Sequence, residues 1–321
     1  MWQFLQTIFG YRKKQGKHPE SLIRKAIERA ADGTDPWLKA VSGYRRKLRP
    51  AVTLSLDHVT RLSNSLTPPI QAHIGKNGTP SPLAAFFSSP TEMRDFFRND
   101  RTLNAFLREL KPTPEQITAL LIMEKSEKII YGAELSGDIV VRDIPQVTVT
   151  FHGHRLLEPA IDENSARDRL RHRAFDHLLT IALRQITSAK TERKDLERRR
   201  TLLHAKLSLL QRGEWGFHDS PSAEIPTVAG IEAQLSQIEA KLLELGREDH
   251  VLEAYLDILI NVLSHPEEHL WDIKQCLILD QMGIKRTGPA DNGCEITLHE
   301  LFNSEGRQWV ISLVTLAVEE L

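Results

Sequence analysis

The sequence predicts an α+β fold: a helical N-terminal region, then a mostly antiparallel β-sheet interrupted by a long antiparallel coiled-coil hairpin. Three observations predict it. Proline-punctuated helical patterns fill the first third, β-branched runs lie on both sides of a long middle segment, and that middle segment carries two heptad patterns of opposite charge. With 321 residues, 40% hydrophobic and 26% charged, the chain can bury a core in two modest domains. The expected divisions are a terminal aromatic and basic segment (1–18), a helical domain (19–126), a β domain (127–163 with 270–321) and the inserted hairpin (164–269), whose tip loop spans 211–230.

Several classes of protein are excluded at once. The net charge is −1, so the chain as a whole is no polyelectrolyte. Two cysteines, Cys276 and Cys294, make neither a disulfide framework nor a zinc ribbon and fit a reducing compartment. The apolar run at 310–318 is far short of the roughly 20 residues of a spanning helix. Residues 1–10 put their apolar stretch before the charges Arg12, Lys13 and Lys14, the reverse of a secretory signal. The expected location is cytoplasmic, with membrane association as the variant the N-terminus permits.

Taken in order, the first segment groups Trp2, Phe4, Leu5, Ile8 and Phe9 with Arg12, Lys13 and Lys14 just beyond. That pattern fits an interfacial anchor or a docking peptide, and equally fits packing on the protein's own body. Residues 1–50 hold twelve Lys/Arg against four Asp/Glu, a net of +8. Arg45, Arg46 and Lys47 adjoin Tyr44, so an anionic membrane surface or a nucleic acid is an alternative partner.

Residues 19–125 read as short helices. Asp35-Pro36 supplies an N-cap with proline at N1. Ser89-Pro90-Thr91-Glu92 and Thr113-Pro114-Glu115-Gln116 read as capping boxes, and Pro50, Pro68-Pro69 and residues 75–82 break the pattern. From residue 128 the texture is β: 129–131, 139–141 and 147–151 read as a small meander with a turn at Ser136-Gly137-Asp138. Runs at 270–282, 295–302 and 308–318 close the chain. The last is apolar on both faces and suits a central strand. Strands flanking a helical excursion most simply join into one sheet.

The middle segment carries the strongest signal. Leu178, Ala182, Ile186, Ala189, Arg193, Leu196, Arg200, Leu203, Leu207 and Leu210 form one seam. Ile231, Leu235, Ile238, Leu242, Leu245, Asp249, Leu252, Leu256, Leu259 and Leu263 form the other. If the chain doubles back, partners share an index sum near 441, as in Leu196 with Leu245 and Ala182 with Leu259. Arg193 then meets Asp249, a seam pair able to set alignment. Residues 164–212 carry thirteen Lys/Arg against five acids (+8), and residues 228–270 two against nine (−7), so the rods complement each other. At the tip, Trp215, Phe217 and His218 are a partner-contact expectation; a cap over the coil's end is the competing one.

For chemistry, no phosphate loop or nucleophile elbow is present. His265-Pro266-Glu267-Glu268-His269 matches an inverted zincin pattern, with His265, Glu268 and His269 as its ligands, but the acids are explained by a helix start at Pro266. His152 and His154 share a strand face without a carboxylate in the motif. No catalytic residue, cofactor or resident metal is predicted. The functional expectation is a non-enzymatic scaffold or adaptor contacting a protein partner through the hairpin. Its rivals are a peripheral membrane protein, a nucleic-acid binder and a metal-dependent hydrolase.

Overall fold

The computed structural model describes residues 18–73, 82–110, 112, 114–136, 139–211, 227–246, 250–280, 282–286 and 294–320. The chain is α+β and falls into two compact units, one of residues 18–55 with 176–265, the other of 56–175 with 266–321.

The sheet unit joins the two β blocks into one sheet. Its strands are β1 (Ile70–Ala72), β2 (Gln116–Ser136), β3 (Ile139–Ala160), β4 (Leu270–Leu279), β5 (Lys285–Arg286), β6 (Cys294–Asn303) and β7 (Gln308–Ala317). The order is β3-β2-β7-β6-β4-β5, and β1 pairs in parallel with the end of β7 that β6 leaves free. A bridge between Thr148 and Ile284, and the Val149 amide donating to Gly283 O at 2.8 Å, bring the β4–β5 turn back to β3, so the sheet curls nearly shut. Strand periodicity sorts the side chains. Ile117, Ala119, Leu121 and Met123 of β2 face inward with Val310, Val314 and Leu316 of β7. Leu120, Leu313 and Ile311 face outward onto Leu66, Ala166 and Leu170. Buried on both faces, β7 is the central strand its sequence predicts.

Two sequence expectations fail here. The three short runs of the meander are stretches of one long hairpin, β2 and β3 of 21 and 22 residues. It bends at three register shifts, each beside a left-handed residue of β3 at Asp143, Gly153 or Glu158. Glu115-Gln116 leads into β2 rather than a helix, because residues 117–123 bury apolar side chains on two faces as a strand does. The Ser89 cap is formed: its Oγ accepts from the Glu92 amide at 3.1 Å and opens α3 (Pro90–Asn99). Asp100 caps α4 (Arg101–Glu109), and both helices pack Met93, Phe97 and Leu103 on the inner face of the sheet.

The helical unit holds α1 (Glu20–Thr34), the first half of α2 (Tyr44–Ser65), most of α5 (Glu163–Gln211), α6 (Val228–Glu244) and α7 (Val251–Ser264). The expected helical domain of 19–126 is thus divided, its first part sharing a unit with the hairpin. The stripe Leu22, Ile23, Ala26, Ile27, Ala30 and Ala31 is buried, as are Leu178, Ala182 and Ile186 of α5 and Leu256, Leu259 and Leu263 of α7. Asp35 caps a single-turn helix at Pro36–Ala40, accepting from the Trp37 amide at 3.0 Å, and its other oxygen takes Lys190 Nζ at 2.6 Å. Pro50 was expected to break the helix, yet α2 runs through it. Burial of Leu48, Ala51, Val52 and Leu56 outweighs a proline cost of about 3 kcal/mol.

The hairpin is antiparallel but its return arm is not one helix. It breaks at Gly246 (φ 102°), where a Cβ would sit 3.0 Å from Ala254 Cβ. In the outer part Leu196, Ile238 and Leu242 form a cluster with Leu203 and Leu245, in keeping with the predicted index sum of 441. The 49 residues of α5 extend about 70 Å at 1.5 Å per residue.

Candidate interaction surface

The outer hairpin, residues 187–211 of α5 with α6, is built from little more than its seam. On α6 only Ile231, Leu235, Ile238 and Leu242 are buried, and on α5 beyond Ile186 only Arg193 and Leu196 are. Arg193 is 8% exposed. Its Nη1 donates to Gly246 O at 2.5 Å and its Nε to Glu197 Oε1 at 2.9 Å, so a cation closes the C-terminal end of α6. The expected partner Asp249 lies outside the described residues. So do the tip residues Trp215, Phe217 and His218.

With about 3.6 residues per turn, the two flanks of the seam differ in chemistry. One flank carries Arg199, Leu202, Lys206 and Leu209 of α5. In the antiparallel register Lys241 of α6 falls opposite Arg199. Between 198–211 and 228–241 this flank has no carboxylate; Asp195 of α5 and Glu244 of α6 bound it at the end nearer the base. The other flank carries His204 with Glu232 and Glu239. Leu202 is 53% exposed and Leu209 is 40% exposed, one heptad apart. Arg198, Arg199, Lys206 and Lys241 are exposed and make no ion pair among the described residues. The expected complementarity between the rods is therefore not realised as direct pairs at Arg198 or Arg199. Basic residues nearer the base differ: Arg29 is held by Asp176 at 2.5 Å, Lys47 by Glu253 at 3.2 Å and Lys190 by Asp35 at 2.6 Å.

The other sequence candidates are placed as follows. Trp2, Phe4, Leu5, Ile8, Phe9, Arg12, Lys13 and Lys14 lie outside the described residues. Arg45 Nε donates to Glu28 at 2.7 Å and its guanidinium lies 5.4 Å from the Tyr44 ring. Of the predicted basic run, Arg46 is exposed and Lys47 is paired. His265 closes α7, with its Nδ1 3.1 Å from Asn261 O, while Glu268 and His269 lie in α8 (Pro266–His269). No metal-ligand cluster of three or more occurs among the described residues. His152 and His154 are separated by the left-handed Gly153. His152 approaches Glu124 at 3.5 Å, while His154 stacks on Phe87 at 4.4 Å and donates to Phe86 O at 2.7 Å. Burial holds the His154 imidazole below its ordinary pKa, only partly offset by that bond.

Sequence reasoning missed a polar cluster inside the sheet unit. Lys125 (side chain 10% exposed) pairs with Glu300 (7%), lies 3.0 Å from Glu127 and donates to Gln275 at 3.2 Å; Gln308 donates to Glu300 at 2.9 Å. Burial pulls the Lys125 ammonium down, but the two carboxylates outweigh it and hold its pKa above the ordinary lysine value. The signal was present: Lys125 follows Met123, and Glu300 follows Leu298, at inward strand positions. Stacked Trp271 and Phe302 (5.8 Å, 9°) lie next along the same face. A pocket of about 20 Å³ on the outer face, lined by Val59, Leu62, Leu170, Leu270 and Ile311, has room for a water and not for a substrate. No described helix is long and apolar enough to cross a membrane. Comparison with known proteins finds no matching family model, no matching curated protein and no matching solved structure.

Proposed function

We propose that the protein is a non-enzymatic scaffold or adaptor that uses the outer helical hairpin as its docking arm. The observation carrying this reading is the arm itself. Beyond Arg193 and Leu196, α5 runs on for fifteen residues to Gln211. Over that length its buried or partly buried apolar side chains lie on the seam facing α6, with Leu203 packed against the cluster of Leu196, Ile238 and Leu242. A two-helix coil of this kind adds little to a core. Its value lies in exposed area on a rigid element, which is how helical arms offer binding faces. The pairing of Arg45 and Lys47 with Glu28 and Glu253 favours this reading over a phosphate-binding one.

The test is capture from the native lysate with the full chain and with a variant whose hairpin is shortened by removing residues 203–238 and bridging 202 to 239 with glycine and serine. Circular dichroism and thermal melting confirm that the shortened chain is folded. A partner held by the full chain and lost by the shortened one is expected. An identical set of partners from both proteins contradicts the proposal.

A further inference from the structure

We infer that the cationic flank of the hairpin docks an acidic amphipathic α-helix, which lies along α5 and α6 as a third strand of the coil. The inference rests on the docking-arm reading and adds the face and the chemistry of the partner.

Three features of the flank point to this occupant. Leu202 and Leu209 stand one heptad apart with much of their surface in water, the repeat that a helix laid alongside matches with its own apolar positions. Arg199 and Lys206 of α5 and Lys241 of α6 border those leucines, and Arg198 stands at the shoulder. No described carboxylate is within ion-pair distance of any of the four, although Asp195, four residues before Arg199, and Glu244, three after Lys241, border the patch. The opposite flank, with Glu232 and Glu239, lacks both properties although it shows one exposed leucine, Leu243. A partner helix with apolar residues at the seam and Glu or Asp at its edges would cover the leucines and pair with the cations. A basic helix would meet like charges. Phosphate alone would leave Leu202 and Leu209 uncovered, so the leucines favour a helix over a nucleic acid.

The experiment titrates the full chain with fluorescein-labelled synthetic helices of three heptads, leucine at the two seam positions and glutamate at the flanking ones. A matched helix has lysine at the flanking positions. Saturable binding of the glutamate helix and weaker binding of the lysine helix are expected. Leu202→Glu with Leu209→Glu should weaken the glutamate helix at least about tenfold. Arg199→Glu with Lys206→Glu should exchange the preference in favour of the lysine helix. Leu243→Glu, on the other flank, should leave binding unchanged, and circular dichroism checks that each variant is folded.

Absence of saturable binding to the glutamate helix, or binding indifferent to both double variants, overturns the inference. So does a result in which phosphatidylserine vesicles or single-stranded DNA bind through Arg199 and Lys206 while the glutamate helix does not. If the shortened hairpin loses its cellular partner but that partner is insensitive to these four residues, the arm stands and only the assigned flank fails.

Discussion

Replacing Lys125 by methionine isolates the buried polar cluster of the sheet unit. The substitution keeps the length of the side chain and removes its charge. Glu300, 7% exposed at its side chain, then keeps, among the described residues, only the Gln308 amide at 2.9 Å. Stranding one member of a buried ion pair costs about 3–5 kcal/mol. Urea unfolding at pH 7.5, followed by circular dichroism, should therefore show Lys125→Met destabilised by about that amount. Adding Glu300→Gln should recover most of the loss, since the second change removes the uncompensated carboxylate. The pH dependence has a defined sign. In wild type the Lys125 pKa is raised, so its contribution is fully present below the ordinary lysine value and is lost as pH rises through the raised one. A single variant within 1 kcal/mol of wild type, or a double variant no more stable than the single, refutes the assignment.

Three further perturbations follow from the geometry. Arg193→Met removes the guanidinium from the Gly246 carbonyl and should cost about 1.5–3 kcal/mol by urea unfolding; a neutral result means the contact does not hold the end of α6. Gly246→Ala places a Cβ 3.0 Å from Ala254 at φ 102° and should lower the melting temperature, whereas Gly230→Ala, inside α6, should have a smaller effect. Asp168 is pushed up to about 6, chiefly by burial that Arg171 only partly offsets, so the folded state gains stability as pH falls through that value. Burial lowers the pKa values of His58, His154 and His299; their contribution is present above the ordinary histidine value and is lost below it. Between pH 7.5 and 5.5, Asp168→Asn should therefore lose about 1 kcal/mol more than wild type, and equal losses would argue against the shifted carboxyl.

The sequence was most informative where one physical signal dominated. Heptads with few competing patterns defined α5 and the register of Leu196 with Leu245, and an apolar run on both faces marked β7 as central. The Asp35 and Ser89 caps were readable because the cap, the proline and the helix lie together in the chain. The return arm was read as unbroken because its leucine spacing continues through residues 245–252. Only the close approach of Ala254 to Gly246 reveals why the helix stops there. Residues 116–125 were assigned to a helical region because Thr113-Pro114-Glu115-Gln116 imitates a capping box. The alternation that overrides it, Ile117, Ala119, Leu121 and Met123, needs β7 beside it to count. The hairpin's cationic flank was legible as a charge run but was assigned to its return helix. Whether Arg198 and Arg199 have carboxylates within reach depends on helix rotation, which the spacing alone did not resolve.

The docking-arm account is tested most directly by placing a photoreactive benzoylphenylalanine at Leu202, and separately at Leu243, in the full-length protein in its native cells. After irradiation, a discrete covalent adduct from position 202, absent or much weaker from position 243, is the predicted result. Adducts from neither position, or from 243 alone, contradict it.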